Sequence, residues 1–242
     1  HDGKIEKIYS IKNTKPVRFT DDYRCSMKKN AVLLWVVYFL NLMVFPVFFI
    51  RYTSSGPSVD TNAYLILQLV STVIGVVLFR EKLVEGFKNF IKRPFIRDLA
   101  IGYALRIGLA IAVAQFIGDV TSDNQEQIEK MMSTNNAVTM FVLVCVVAPI
   151  LEELVFREAI IGSFKKSLNV HVLTFISAFL FVLLHALSND AAGLIDWTAA
   201  LMYVPLTIPI VGMYRYYNDN VFASISMHFL NNLIAFLFLL NQ

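Results

Sequence analysis

Cysteine and charged residues are both scarce in this sequence. It has two cysteines among 242 residues, Cys25 in a basic N-terminal stretch and Cys145 in the middle of an apolar block. We expect these thiols to lie at different levels of the molecule, which excludes a disulfide-stabilised scaffold. Charged residues make up 16% of the chain, compared with about 25% in a soluble globular domain. The sequence shows no convincing internal repeat and no low-complexity segment.

Long apolar blocks take the place of the missing charge. Hydrophobic residues make up 57% of the chain. A helix that spans a bilayer needs about 20 mostly apolar residues. Seven blocks approach that length: 31–50, 62–79, 99–118, 137–161, 170–187, 194–214 and 221–240. We therefore predict an all-α fold, a polytopic transmembrane bundle of about seven membrane helices, with six to eight as the range. The pattern over 81–97 predicts a short cytoplasmic amphipathic helix on the membrane surface.

Basic residues concentrate in alternate loops. Residues 1–30 carry eight Lys or Arg against four Asp or Glu, and residues 80–98 carry six against three. Residues 119–136 carry one Lys against four acidic residues, and residues 188–196 carry two acidic residues and no basic one. Because basic loops stay in the cytoplasm, this pattern predicts a cytoplasmic N-terminus. The net charge of +3 then reflects topology and anionic lipid, and no nucleic-acid partner is expected.

A charged motif interrupts the fourth block. Glu152, Glu153 and Arg157 fall within six residues of an otherwise apolar run, and one charge at mid-bilayer costs about 2.5–3.5 kcal/mol on insertion scales. Glu153 and Arg157 are four residues apart, in the favourable order for an ion pair. Glu152 is rotated by about 100° and has no local basic partner. Pro149 should displace the carbonyl of Cys145, so we expect a kink where the glutamates begin.

Two histidines and an asparagine add polar groups to other apolar blocks. His185 ends an apolar run, and His228 and Asn232 share one helix face because they are four residues apart. Counting from the nearest turns at 1.5 Å per residue, Glu152 and His185 both lie about 25 Å deep, whereas His228 lies about 14 Å deep. The sequence thus predicts a shared site with a depth mismatch of about 11 Å at His228.

A carboxylate, two imidazoles and a carboxamide inside a membrane favour hydrolysis of an amide. Glu152 could take a proton from water with help from His185, and His228 and Asn232 could donate hydrogen bonds to the developing oxyanion. No serine or cysteine nucleophile is needed. As an alternative, Glu152, His185 and His228 could bind zinc from separate helices, although the HExxH motif of common zinc proteases is absent.

At this point the sequence resembles a known family. Three motifs follow one another in apolar blocks: EExxxR over 152–157, FxxxH over 181–185 and HxxxN over 228–232. Their order and spacing are similar to those of the CPBP family, which includes CAAX prenyl endopeptidases and bacteriocin-processing or Abi proteins. The resemblance covers residues 137–240. It implies a polytopic helical intramembrane glutamate protease, with no cofactor expected and a metal not excluded.

The resemblance also implies roles for individual residues. Glu152 would be the catalytic base, His185 its partner on the water, and His228 and Asn232 the oxyanion site. Three further motif residues are expected to orient the site or to pack beside it: Glu153, Arg157 and Phe181.

The chain is predicted to fall into three parts: a basic cytoplasmic tail over 1–30, accessory membrane helices and the surface helix over 31–136, and a catalytic helix core over 137–242. The expected partners are a membrane peptide or protein substrate and the lipid bilayer of a bacterial cell membrane. Two other classes stay open. One is a non-proteolytic scaffold or bacteriocin-immunity protein that binds a membrane-protein partner. The other is a proton-coupled transporter, which the lack of a repeated half disfavours.

Overall fold

The structure is a computed structural model that describes residues 21–53, 56–89, 94–118, 122–187 and 194–241. The first twenty residues of the predicted tail and most of the acidic 188–196 loop lie outside the described residues.

The described residues form a helical bundle with one short hairpin. The hairpin pairs β1 (Ile50–Thr53) with β2 (Gly56–Val59) in antiparallel register. The α-helices are α1 Asp21–Phe39, α2 Thr61–Leu78, α3 Arg80–Asn89, α4 Phe95–Ile117, α5 Asp123–Thr134, α6 Ala137–Phe141, α7 Ala148–Glu153, α8 Val170–His185, α9 Trp197–Tyr216 and α10 Val221–Leu239.

Short polar side chains fix where most of these helices begin. Each accepts a hydrogen bond from a backbone N–H in the first turn, a group that has no partner within the helix. Six such caps precede α2, α5, α6, α8, α9 and α10, respectively: Asp60, Ser122, Asn136, Asn169, Asp196 and Asn220. The apolar blocks are therefore divided at polar residues that the sequence itself supplies.

The predicted fold class is confirmed. Six helices in the described ranges are long and apolar enough to cross a membrane, and the remaining block, 170–187, forms the shorter helix α8. The chain is a multi-pass membrane protein. The predicted surface helix over 81–97 is divided, because α3 ends at Asn89 and α4 begins at Phe95.

The fourth block forms one continuous helix over Ala137–Gly162, which we call the motif helix. On either side of α7 it is wound as π-helix, over Val142–Val147 and Leu154–Gly162. In a π-helix the carbonyl of residue i accepts from the N–H of residue i+5. The motif helix therefore winds more residues into each turn than an α-helix would.

This winding changes the effect of Pro149. The N–H of Ala148 bonds to the carbonyl of Leu143, five residues back. In the same register the carbonyl of Val144 would accept from residue 149, which is proline and has no N–H. The released carbonyl is therefore that of Val144. The expectation that Pro149 would act on Cys145 is wrong, because it assumed α-helical spacing.

The motif helix lies at the centre of the bundle. α1 and α8 pack against its Leu154–Gly162 segment, α2 and α10 pack against α7, and α4 packs mainly against α9. Phe156 is fully buried and makes edge-to-face ring contacts with Trp35, Tyr38 and Phe181. Such contacts add to the stabilisation that burial of the rings provides. The central helix thus carries the charged motif into the best-packed part of the molecule.

A buried carboxylate closes one end of the motif helix. Glu158 is 2% exposed, and its Oε2 accepts a hydrogen bond of 3.1 Å from the hydroxyl of Tyr214. Its carboxylate lies over Gly162, where an added Cβ would come within 2.3 Å of Oε1. A glycine at this position therefore leaves space for the carboxylate.

We expect Gly162→Ala to lower the free energy of unfolding by about 1–3 kcal/mol, because the new methyl overpacks against a carboxylate that Tyr214 holds in place. Thermal unfolding in detergent measures the effect. Gly108→Ala is the matched control, since a Cβ there meets nothing within 4 Å. It should be neutral or stabilise by up to about 1 kcal/mol. Equal shifts in both variants would contradict this prediction.

Candidate active site

The two predicted histidines converge on Glu152. Glu152 lies on α7, His185 ends α8, and His228 lies on α10. Oε2 of Glu152 lies 3.6 Å from Nε2 of His185 and 3.8 Å from Nε2 of His228. Both distances exceed a hydrogen bond, and this oxygen has no hydrogen-bond partner among the described residues. Three side chains from three helices therefore face one another without a direct hydrogen bond.

In each imidazole, the hydrogen bond made by Nδ1 determines whether Nε2, the nitrogen that faces Glu152, is a donor or an acceptor. Nδ1 of His185 lies 2.8 Å from the carbonyl oxygen of Phe181, and Nδ1 of His228 lies 3.0 Å from Oε1 of Glu153. A carbonyl and an ionised carboxylate only accept, so Nδ1 donates in both rings. Each neutral ring then presents Nε2 as an acceptor. With Glu152 ionised and both rings neutral, the centre of the site collects three acceptor atoms.

Glu153 and Arg157 form the ion pair that their spacing predicts. Nε of Arg157 lies 3.0 Å from Oε2 of Glu153, and both side chains are 0% exposed. Nη1 of Arg157 also donates to Oγ of Ser177 on α8, at 2.8 Å. The other oxygen of Glu153 accepts from His228. Because the pair reaches both α8 and α10, it fixes the helices that carry the two histidines.

Phe181 lies between the charged groups and the histidines. Its ring is fully buried, with its centroid 4.3 Å from that of His185 and 5.7 Å from that of His228. The guanidinium of Arg157 lies 4.8 Å from the same centroid, a cation–π contact. The structure therefore places Phe181 against both imidazole rings and against the arginine.

Asn232 lies one helical turn from His228, and its described hydrogen bonds run to other groups. Its Nδ2 donates to the carbonyl oxygen of Val144, at 2.9 Å. Its Oδ1 accepts from Nδ2 of Asn231, at 3.1 Å. The amide nitrogen has a second N–H. These two contacts therefore engage one of the two N–H donors of Asn232 and leave the other free for a further acceptor.

Tyr203 is a site residue that the sequence reasoning missed. Its ring centroid lies 4.7 Å from that of His185. Its hydroxyl lies 3.1 Å from Oγ of Ser122 and accepts from Nδ2 of Asn124, at 2.9 Å. The segment before and at the start of α5 is thereby tied to the site. In the sequence, Tyr203 could be noticed only as a tyrosine in the middle of the apolar block 194–214, and no motif surrounds it.

The predicted depth of His228 is wrong. Counting residues placed it about 11 Å from the level of Glu152, whereas the two side chains are 3.8 Å apart. That count used the α-helical rise throughout. Residues Leu154–Gly162, between Glu152 and the following turn, are π-helical, so they cover less length than the same number of α-helical residues.

The zinc alternative finds no support in this arrangement. Within the described part of the chain, no group of three or more His, Cys, Asp or Glu side chains is placed to hold a metal ion. In His228 the second nitrogen is engaged by Glu153, which is also a common arrangement in metal sites. A chelator experiment therefore tests whether the site binds a metal ion.

Comparison with known proteins agrees with the three motifs. Residues 134–234 match the family model described as type II CAAX prenyl endopeptidase Rce1-like. This segment holds Glu152, His185, His228 and Asn232, and it spans about two-fifths of the 242 residues. No curated protein and no solved structure matches the chain. Residues 134–234 are therefore similar to the Rce1-like CAAX prenyl endopeptidases, a family of membrane proteases.

Proposed function

We propose that this protein is an intramembrane endopeptidase in which Glu152 activates a water molecule against a peptide bond of a membrane-associated substrate. The observation that carries the proposal is the convergence of Oε2 of Glu152 with Nε2 of His185 and of His228. The carboxylate oxygen of Glu152 and Nε2 of a neutral His185 are two acceptors, and they suit a molecule that brings two protons to the site. Water has that property, and it is the second reactant of hydrolysis.

In the proposed reaction Glu152 accepts one proton from water while Nε2 of His185 accepts a hydrogen bond from the other. The water oxygen attacks the carbonyl carbon and forms a C–O bond. The π electrons of the C=O bond move to the carbonyl oxygen, which becomes negative. The tetrahedral intermediate then collapses, the C–N bond breaks, and the proton held by Glu152 passes to the leaving amine. No covalent enzyme intermediate is required.

The negative oxygen of that intermediate needs donors. Asn232 has one amide N–H that its described contacts leave available. His228 donates through Nδ1 to Glu153, so it can donate from Nε2 only as an imidazolium. Glu153 lies beside the ring and balances that charge. The role proposed for Glu153 is therefore to orient His228 through Nδ1, and the role proposed for Arg157 is to hold Glu153 in place.

The substrate proposed here is a peptide or protein held at the lipid bilayer. The family match names CAAX prenyl endopeptidases, and the predicted bacteriocin-processing and Abi roles stay predictions. The predictions of a bacterial membrane and of a cytoplasmic N-terminus also stay proposals, the latter resting on the loop charges.

We predict that Glu152→Gln lowers the rate of cleavage by about 10²–10⁴-fold, the usual contribution of a general base. A membrane-peptide library in detergent, read by mass spectrometry, measures it. Glu158→Gln is the matched control: it neutralises a buried glutamate six residues away whose contact is with Tyr214. The thermal stability of Glu152→Gln should be unchanged or higher, since Oε2 loses no described hydrogen bond.

The same assay tests the other functions. If cleavage is lost in both Glu152→Gln and Glu158→Gln, the loss follows from neutralising a buried glutamate and is not specific to Glu152. Cleavage that a strong chelator abolishes would turn the three side chains into a metal site. If neither the wild type nor the variants cleave, and Glu152→Gln loses a co-purifying membrane protein, the scaffold function gains support. Ion flux into proteoliposomes would support a transporter.

We predict that His185→Gln lowers cleavage by about 10²-fold or more, because the flexible carboxamide has no ring that the Phe181 carbonyl holds so that its acceptor faces the water. His171→Gln is the control, since His171 is exposed at the start of α8. A rate in His185→Gln equal to that of the control would remove His185 from the mechanism.

We predict a different signature for Arg157→Met. Removing one member of a buried ion pair leaves the buried Glu153 without its arginine partner, which costs about 3–5 kcal/mol of stability. Thermal unfolding in detergent should detect this loss before activity is considered. Arg97→Met is the comparison, because the Arg97 side chain is 63% exposed and Asp98 keeps its hydrogen bond from Tyr217, so a smaller loss is expected. Similar stabilities in the two variants would contradict a structural role for the buried pair.

A further inference from the structure

Asn231 contacts Asn232, the proposed oxyanion donor outside the group formed by Glu152, His185 and His228. It precedes Asn232 on α10, and its own side chain is buried, at 7% exposure. The FxxxH, HxxxN and EExxxR motifs do not include it. Its Nδ2 donates to Oδ1 of Asn232, at 3.1 Å.

The direction of the Asn232 amide follows from its surroundings. The carbonyl of Val144 has no donor in the π-helical register, because residue 149 is a proline. A carbonyl can only accept, so the group of Asn232 that lies 2.9 Å away must be its nitrogen. The oxygen of Asn232 then faces the other way, toward the nitrogen of Asn231. The hydrogen-bond pattern is consistent in one orientation only, which settles the amide assignment.

Asn231 therefore completes the constraint on Asn232. Without it, the amide of Asn232 would be held at one N–H alone and could rotate about that contact. With Oδ1 also held, the second N–H has one direction left. A preorganised donor stabilises a developing charge more than a mobile one, because no reorganisation is needed during the reaction.

The structure also shows a cost of this arrangement. Oδ1 of Asn231 is buried and has no hydrogen-bond partner among the described residues. An unsatisfied buried carbonyl costs about 1–3 kcal/mol. A leucine of similar size would avoid that cost, so stability alone gives no reason for a carboxamide at position 231.

We infer that Asn231 is a positioning residue: its hydrogen bond to Asn232, together with the Val144 carbonyl that Pro149 leaves free, fixes the Asn232 amide so that its second N–H points at the oxyanion. The inference rests on the proposed function, because it assigns Asn231 a role only if Asn232 donates to the reacting oxygen.

The test compares Asn231→Leu and Asn231→Asp with Asn232→Ala. Leucine removes the hydrogen bond, and aspartate keeps the shape but presents an acceptor to Oδ1 of Asn232. We expect either change at 231 to lower kcat by about 10–100-fold with KM within about threefold, less than the 10²–10³-fold loss expected for removal of the donor itself. A phosphinic peptide built on a cleaved sequence, which mimics the tetrahedral intermediate, should bind more weakly by the same factor as kcat falls.

Two controls separate positioning from folding. Asn41→Leu removes another buried carboxamide, whose Nδ2 donates to Gln68 at 3.2 Å and whose Oδ1 is also unpartnered among the described residues. It should leave kcat and phosphinic-peptide binding unchanged. The double variant Asn231→Leu with Asn232→Ala should be no slower than Asn232→Ala alone, because Asn231 acts only through Asn232. The thermal stability of Asn231→Leu should match or exceed that of the wild type.

The outcomes distinguish the two claims. A large loss in Asn232→Ala with wild-type kcat in both variants at 231 would overturn the positioning role and leave the proposed function intact. Additive losses in the double variant would also overturn it. Wild-type kcat in Asn232→Ala would overturn the oxyanion role of Asn232, and the role of Asn231 with it.

Discussion

The buried contact between Glu153 and Arg157 is the interaction on which the rest of the site depends. Two opposite charges with no exposed surface are stable in an apolar bundle only when each is paired and hydrogen-bonded. Arg157 also reaches Ser177 on α8, and Glu153 also reaches His228 on α10. The pair thus holds the motif helix to two neighbours, and its geometry sets the position of His228 relative to Glu152.

The winding of the motif helix is the second constraint. The π-helical segments on both sides of α7 shift the register by one residue, so that Pro149 releases the carbonyl of Val144. That free acceptor is satisfied by Asn232 from another helix. One backbone irregularity therefore explains why the Val144 carbonyl takes its donor from a carboxamide on α10.

Much of the architecture could be predicted because it depends on local chemistry. Apolar blocks of sufficient length must form helices in a bilayer, since every backbone polar group must be satisfied within the segment. The four-residue spacing of Glu153 and Arg157 placed them on one face, and the shortage of partners for Glu152 marked it as the exceptional carboxylate. The depth of His228 and the contact of Tyr203 with His185 could not be predicted, because both depend on helix winding and on the packing of distant segments.

The sequence by itself determined which residues are polar inside the membrane, which of them pair within one helix, and which family the motif segment resembles. Only the tertiary structure decided that Glu152 faces two histidines from different helices, that Nδ1 of each histidine is engaged while Nε2 faces Glu152, and that Asn231 and Val144 hold the amide of Asn232. The reason is physical: spacing along a helix fixes neighbours within about two turns. Contacts between helices depend on how side chains of the whole bundle fill the space between them.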